Sequence, residues 1–159
     1  MANSEESKFL ILKINGKLRP LDRGELYEDP IHDELENLKI GSVEGGGTLQ
    51  SKTGEIEYCD VEIMLAEINE ENIQQVKLIA ENIGLPKGSS LTVESTGQRF
   101  ELGNKEGLAL YLNGTDLPTE TYQTTDVNYV VEQIEKLIDG IGKMESYWEG
   151  NLETALYTE

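Results

Sequence analysis

The stretch "GSVEGGGTLQSKTGEIEYCDVEIML", Gly41 to Leu65, decides the fold. Two β-rich runs, 42–50 and 55–65, flank Ser51-Lys52-Thr53-Gly54, a polar loop with glycine near its end. That is the pattern of a β-hairpin. In the second run, period-two geometry places Cys59, Val61, Ile63 and Leu65 on one face and Ile56, Tyr58, Asp60, Glu62 and Met64 on the other. The all-apolar set is the expected core side. In the first run Gly45, Gly46 and Gly47 stand in a row, and glycine inside a strand marks a bulge, a bend or the close approach of another group. Consecutive free N–H groups also form nests for anions. Here no Gly-Lys-Ser/Thr follows, no helix starts at the loop and the surroundings are acidic, so a bend is the expectation.

Outward from this hairpin, Phe9-Leu10-Ile11-Leu12-Lys13-Ile14 reads as a buried strand closed by Asn15-Gly16. A charged connection over 17–28 leads to Asp29-Pro30, an N-cap followed by proline at N1, with Ile31, Leu35 and Leu38 on one helical face. The first half is therefore β-α-β-β. Asn69 caps a second helix carrying Ile73, Val76, Ala80 and Ile83 inward, stopped by Gly84 and Pro86. Residues 91–94 and 99–102 form a hairpin about Ser95-Thr96-Gly97. Residues 108–112 then end in Asn113-Gly114, echoing the first strand, and a polar connection (115–125) reaches a helix capped by Asp126 or Thr125. Its stripe is Val127, Val130, Val131, Ile134, Leu137, Ile138 and Ile141, and a last hairpin spans 144–149 and 153–158.

Hairpins with isolated helices between them predict an α+β fold with a largely antiparallel sheet and helices on one face. The arrangement is ferredoxin-like, or duplicated β-α-β-β units. Residues 1–159 are expected to form a single compact domain, built of two related halves, 8–66 and 107–159, bridged by the helix and hairpin of 69–103. The chain stops at Tyr157-Thr158-Glu159 without cap or turn, which is consistent with a truncated terminus.

Thirteen Lys and Arg face 31 Asp and Glu, a net charge of −18 over 159 residues. A field of that sign opposes contact with phosphate backbones and anionic lipid, and attracts basic protein surfaces. One cysteine allows no internal disulfide, and "MANSEESKFLILKI" has neither a basic n-region nor an apolar run long enough for a signal peptide or membrane helix. The expected setting is cytoplasmic.

Asp60 and Glu62 point the same way about 7 Å apart, a spacing that suits a shared hard cation or an acid–base pair if further oxygen ligands join them. Glu44 on the neighbouring strand is a candidate third carboxylate. The same three residues also suit contact with a partner, or a plain solvated sheet face. His32, beside Asp33 and Glu34, reads as a surface residue, and a Cys59–His32 nucleophile is disfavoured because Cys59 falls on the apolar face. No CxxC, HExxH, GxSxG or P-loop pattern occurs, so neither a catalytic group nor a cofactor is expected. In "MESYWEGNLETALY", Tyr147 and Trp148, with Tyr157, stand among Glu145, Glu149 and Glu153. Aromatic anchors with an acidic rim suit a basic partner, although core packing is the commoner use of such rings.

At "GSVEGGGTLQSKTGEIEYCDVEI", "GLPKGS" (84–89), "LALYLNGTDLPTETY" and "ETALYTE", the chain resembles small acidic bacterial proteins of immunity type. The resemblance implies an acidic cytoplasmic protein that binds and blocks a basic toxin domain without catalysis. The expected function is thus non-enzymatic binding of a basic partner through Glu44, Asp60, Glu62, Tyr147, Trp148 and Glu149. The alternatives are a small metal-dependent enzyme using Asp60 and Glu62, and a homo-oligomeric structural module pairing sheet edges.

Overall fold

The computed structural model describes residues 8–52, 54–114, 116–149 and 153–158; for Asn113, Trp148, Glu149 and 153–158 the backbone alone is described. The chain forms two compact units, 1–106 and 107–159.

In the first unit, β1 (Phe9–Ile14) buries every second residue, Leu10, Leu12 and Ile14, as its alternation requires. The helical segment after it starts earlier than the sequence suggests. Pro20 opens α1 (Pro20–Arg23), a π-helical turn follows over Gly24–Glu28, and α2 (Asp29–Leu38) continues from it. Asp29 is therefore not an N-cap; its backbone is helical, with φ −63 and ψ −50. The cause lies in Pro30. Proline inside a helix lacks a donor and crowds the carbonyl four residues back. The wider turn before it, closed by the Asp29 N–H on the Gly24 carbonyl, absorbs that crowding. Ile31 and Leu35 are buried, whereas Leu38 is exposed. Lys39, in the left-handed region at φ 57, ends the helix.

β2 (Gly41–Gln50) and β3 (Ile56–Leu65) form the expected hairpin, with Gly54 at φ +85 in its turn. α3 (Glu70–Ile83) begins where the Asn69 side chain accepts the Asn72 N–H at 2.8 Å, and buries Val76, Ile79 and Ala80. Asn69→Ala is expected to lower stability by about 1 kcal/mol. Denaturant midpoints check this, and an unchanged midpoint would show that the cap contributes nothing.

β4 (Ser89–Val93) and β5 (Arg99–Leu102) complete a five-stranded sheet of order β2-β3-β1-β4-β5, antiparallel throughout. In the portion β4-β1-β3-β2, β3 lies between the parallel β1 and β2, which is a split β-α-β arrangement, and β5 adds an edge. One face carries Leu10, Leu12, Ile14, Cys59, Val61, Ile63, Leu65, Leu91 and Val93, all buried in one cluster with Ile31, Leu35, Val76 and Ala80 of the helices. The fold is α+β with helices on one face of the sheet.

In the second unit, β6 (Leu108–Asn113), α4 (Thr119–Thr124), α5 (Val127–Ile138), β7 (Met144–Glu149) and β8 (Glu153–Thr158) follow in order. The short α4 falls in the stretch read as a polar connection. Its Thr124 hydroxyl donates to the Glu120 carbonyl at 2.7 Å, a local bond that residue-type patterns do not reveal. Asp126 caps α5 by accepting the Asn128 N–H at 2.9 Å. The strand order β6-β8-β7 repeats β1-β3-β2, pair by pair antiparallel. Among the described residues, no helix is long and apolar enough to cross a membrane.

Candidate functional site

The glycine run of β2 borders an acidic surface of the first unit. Pairing with β3 slips between Val43 and Gly45, opposite Ile63 and Glu62, so Glu44 is the extra residue of a bulge. At Gly46, a Cβ would lie 2.8 Å from Glu28 Oε1, 2.9 Å from Arg23 Nε and 2.6 Å from the Asp60 carbonyl oxygen. The missing side chain therefore makes room for an ion pair. Arg23 is buried, donating from Nε to Glu28 Oε1 at 2.5 Å and from Nη1 to Thr48 Oγ1 at 2.6 Å. On the opposite face a Cβ at Gly47 would meet Asp60 Oδ1 at 2.9 Å. Close approach occurs, together with a bulge, while the strand runs on unbroken through the glycines.

Over the bulge lies a shallow, open cavity of about 290 Å³ lined by Glu28, Asp29, His32, Val43, Glu44 and Gly45. His32 ties its two walls together. Its Nδ1 accepts the Val43 N–H at 3.2 Å, while Nε2 faces Glu36 Oε1 at 3.4 Å. An imidazole that accepts at Nδ1 carries its proton on Nε2. Of the cavity's lining, Asp29 and Glu44 are exposed, as are Asp33 and Glu36 on the same face of α2. By sequence Asp29 reads as an N-cap and His32 as a surface residue, and neither is assigned to a site, although Asp29, His32, Asp33 and Glu36 follow the spacing of one helical face. What stayed hidden was the bulge that brings Glu44 to them.

Asp60 and Glu62 share the other face of β3, where Asp60 is half-buried and Glu62 exposed. Lys13 sits cross-strand from Asp60 with its Nζ 3.7 Å from the centre of the Tyr58 ring. Glu44 lines the cavity at the bulge, and its Oε1 accepts the Ser42 hydroxyl at 2.5 Å. Among the described residues, no three of His, Cys, Asp and Glu are grouped to hold a metal ion. Cys59 is fully buried, and His32 is engaged elsewhere. Tyr147 of β7 is 43% exposed. The backbones of Trp148 and Glu149 pair with Ala155 and Thr154, but their side chains, like that of Tyr157, lie outside the described residues. The six expected contact residues thus fall at three places in the chain's elements: Glu44 at the β2 bulge, Asp60 and Glu62 on β3, and Tyr147, Trp148 and Glu149 on β7.

A second cavity, about 470 Å³, lies between α3 and the β4–β5 hairpin. Ile68, Ile73, Val93 and Phe100 line it, with Lys77 Nζ 4.7 Å from the Phe100 ring centre.

Comparison with protein-family models, with curated proteins and with solved structures returns no match.

Proposed function

We propose that this is a non-enzymatic binding protein, an immunity- or antitoxin-like cytoplasmic molecule that occludes a basic partner such as a toxin domain. The observation that carries this reading is the concentration of exposed carboxylates on α2 and the β2 bulge, beside a shallow, open cavity of about 290 Å³. Open, singly signed surfaces of this kind accelerate encounter with oppositely charged macromolecules. The buried Arg23–Glu28–Thr48 set beneath holds the surface in place without adding a cation to it. A rigid acidic face needs little ordering on binding, so long-range charge sets the association rate and local packing sets the dissociation rate.

The test is capture of polypeptides from source-cell lysate on the immobilised full chain, on Asp33→Lys/Glu44→Lys and on Glu62→Lys. The expected result is one strongly cationic polypeptide held by the wild type and by Glu62→Lys, and lost from the double variant. Equal capture by all three, or capture of neutral or acidic proteins only, would contradict the proposal.

A further inference from the structure

The cavity between α3 and the β4–β5 hairpin shares no lining residue with the one over the β2 bulge and lies toward the opposite edge of the sheet. Its origin is the graded burial of α3. The helix sinks Val76, Ile79 and Ala80 into the core, but Ile73, nearly one turn earlier, is only half-buried, as is Ile68 just ahead of the helix. On the sheet side Phe100 pairs cross-strand with the buried Leu91, which sets its ring on the helix face, and it too is half-buried. Large apolar side chains thus wall a space of about 470 Å³. Small-molecule sites run from roughly 300 to 1,000 Å³.

The polar rim is fixed by the fold itself. Asn69 is held by the Asn72 N–H at 2.8 Å; in the hairpin turn Thr96 Oγ1 accepts the Gln98 N–H at 3.2 Å, and the Gln98 carbonyl accepts the Val93 N–H at 2.8 Å. A rim already ordered costs little on binding.

Two charged side chains, Glu70 and Lys77, stand among the described lining residues. Glu70 is exposed at the start of α3, about 10 Å along the helix axis from Lys77. Lys77 is half-buried. Its Nζ donates to Gln74 Oε1 at 3.2 Å and lies 4.7 Å from the centre of the Phe100 ring. Among the described residues it has no carboxylate partner, in a chain where 31 Asp and Glu face 13 Lys and Arg. An ammonium carries three donors, and the Gln74 amide oxygen engages one of them. The apolar walls call for a hydrocarbon or aromatic body, and Lys77 calls for one anionic group. Glu70 and the net charge of −18 weigh against a second.

We propose that this cavity binds a small monocarboxylate with an apolar body, its carboxylate on Lys77 Nζ and its body against Ile68, Ile73 and Phe100. The site is separate from the acidic face and independent of the macromolecular partner proposed above.

The test follows amide chemical shifts of the full chain as phenylbutyrate, octanoate and the neutral amide of each are added, at up to about 10 mM. Saturable shifts are expected at residues 68–77 and 93–100, with at least one acid binding about tenfold or more tighter than its own amide. Lys77→Met keeps the apolar stem and removes the charge, so acid and amide should bind it equally; Lys77→Arg should keep the preference. Failure of both acids to shift those residues saturably, or an acid preference that survives in Lys77→Met, overturns the proposal. So do shifts centred instead on residues 28–45, which would place binding at the β2 bulge.

Discussion

Truncating Leu12 to alanine will cost about 2 to 5 kcal/mol of folding stability, the range for deleting a fully buried leucine and leaving a cavity. The same truncation at Leu110 will cost about 1 kcal/mol or less, because a leucine already largely in water forfeits little on removal. The two residues hold matching positions in matching strands, with 0% of Leu12 and 45% of Leu110 exposed. Residue type and strand position are matched, so the difference measures the cover that the core cluster of the first unit gives Leu12. Denaturant unfolding of the two variants in the full chain measures it. Equal losses would mean that β6 is packed as tightly as β1.

Gly103→Ala is the second large effect, at roughly 2 to 5 kcal/mol, from left-handed backbone strain together with overpacking. Gly103 has φ +103, and a methyl group there would sit 2.1 Å from the Pro86 carbonyl oxygen and 2.6 Å from its carbon. Both groups are backbone, so neither can swing aside. The contact matters because this is where the end of β5 is laced to the segment after α3. The Lys87 N–H donates to the Lys105 carbonyl at 2.8 Å, those of Asn104 and Lys105 to the Leu85 carbonyl at 3.1 Å, and the Gly103 N–H to Glu81 Oε1 at 2.9 Å. Gly97→Ala is the control. Its φ is +70 but nothing lies within 4 Å, so it should cost only about 1 kcal/mol. If Gly103→Ala proves no worse than Gly97→Ala, the close approach to Pro86 does not exist in solution.

Alternation and turn chemistry made the strands legible. Cys59, Val61, Ile63 and Leu65 were separable from Tyr58, Asp60, Glu62 and Met64 by parity alone, and all four of the first set are 0% exposed. Asn69 and Asp126 marked helix starts because a cap is a local bond that a short side chain can make from one position, and Gly84 marked a helix end because glycine takes its φ of +97 without a Cβ penalty. The helix start at Pro20 was not legible. It depends on a π-helical turn that relieves Pro30, and residues 17–28 show no period that announces it. Nor did pattern reveal the Arg23–Glu28 pair behind Gly46, since the three residues meet only after the helical segment folds across β2. Ile56 shows the same limit: parity sets it beside Tyr58, yet it is 6% exposed, next to a second register shift between Leu49 and Gln50. The site was legible in kind, as carboxylates on strands, but not in grouping. Asp60 and Glu62 share a face as period two requires, while the bulge sets Glu44 at the cavity beside α2, a one-residue slip that no composition rule predicts.

The contrast between the two units bears on function as well as on stability. The first unit supplies an acidic face at α2 and the β2 bulge. The second unit supplies an edge strand whose leucines are exposed.

The most direct test of the acidic face as a docking surface is the association rate of the full chain with the cationic polypeptide it captures, followed from about 0.05 M to about 0.5 M salt. The rate is expected to fall by about tenfold or more over that range, with Asp33→Lys/Glu44→Lys already slow at the lowest salt. A rate that is the same at both ends of the range, or a double variant as fast as the wild type, would contradict it.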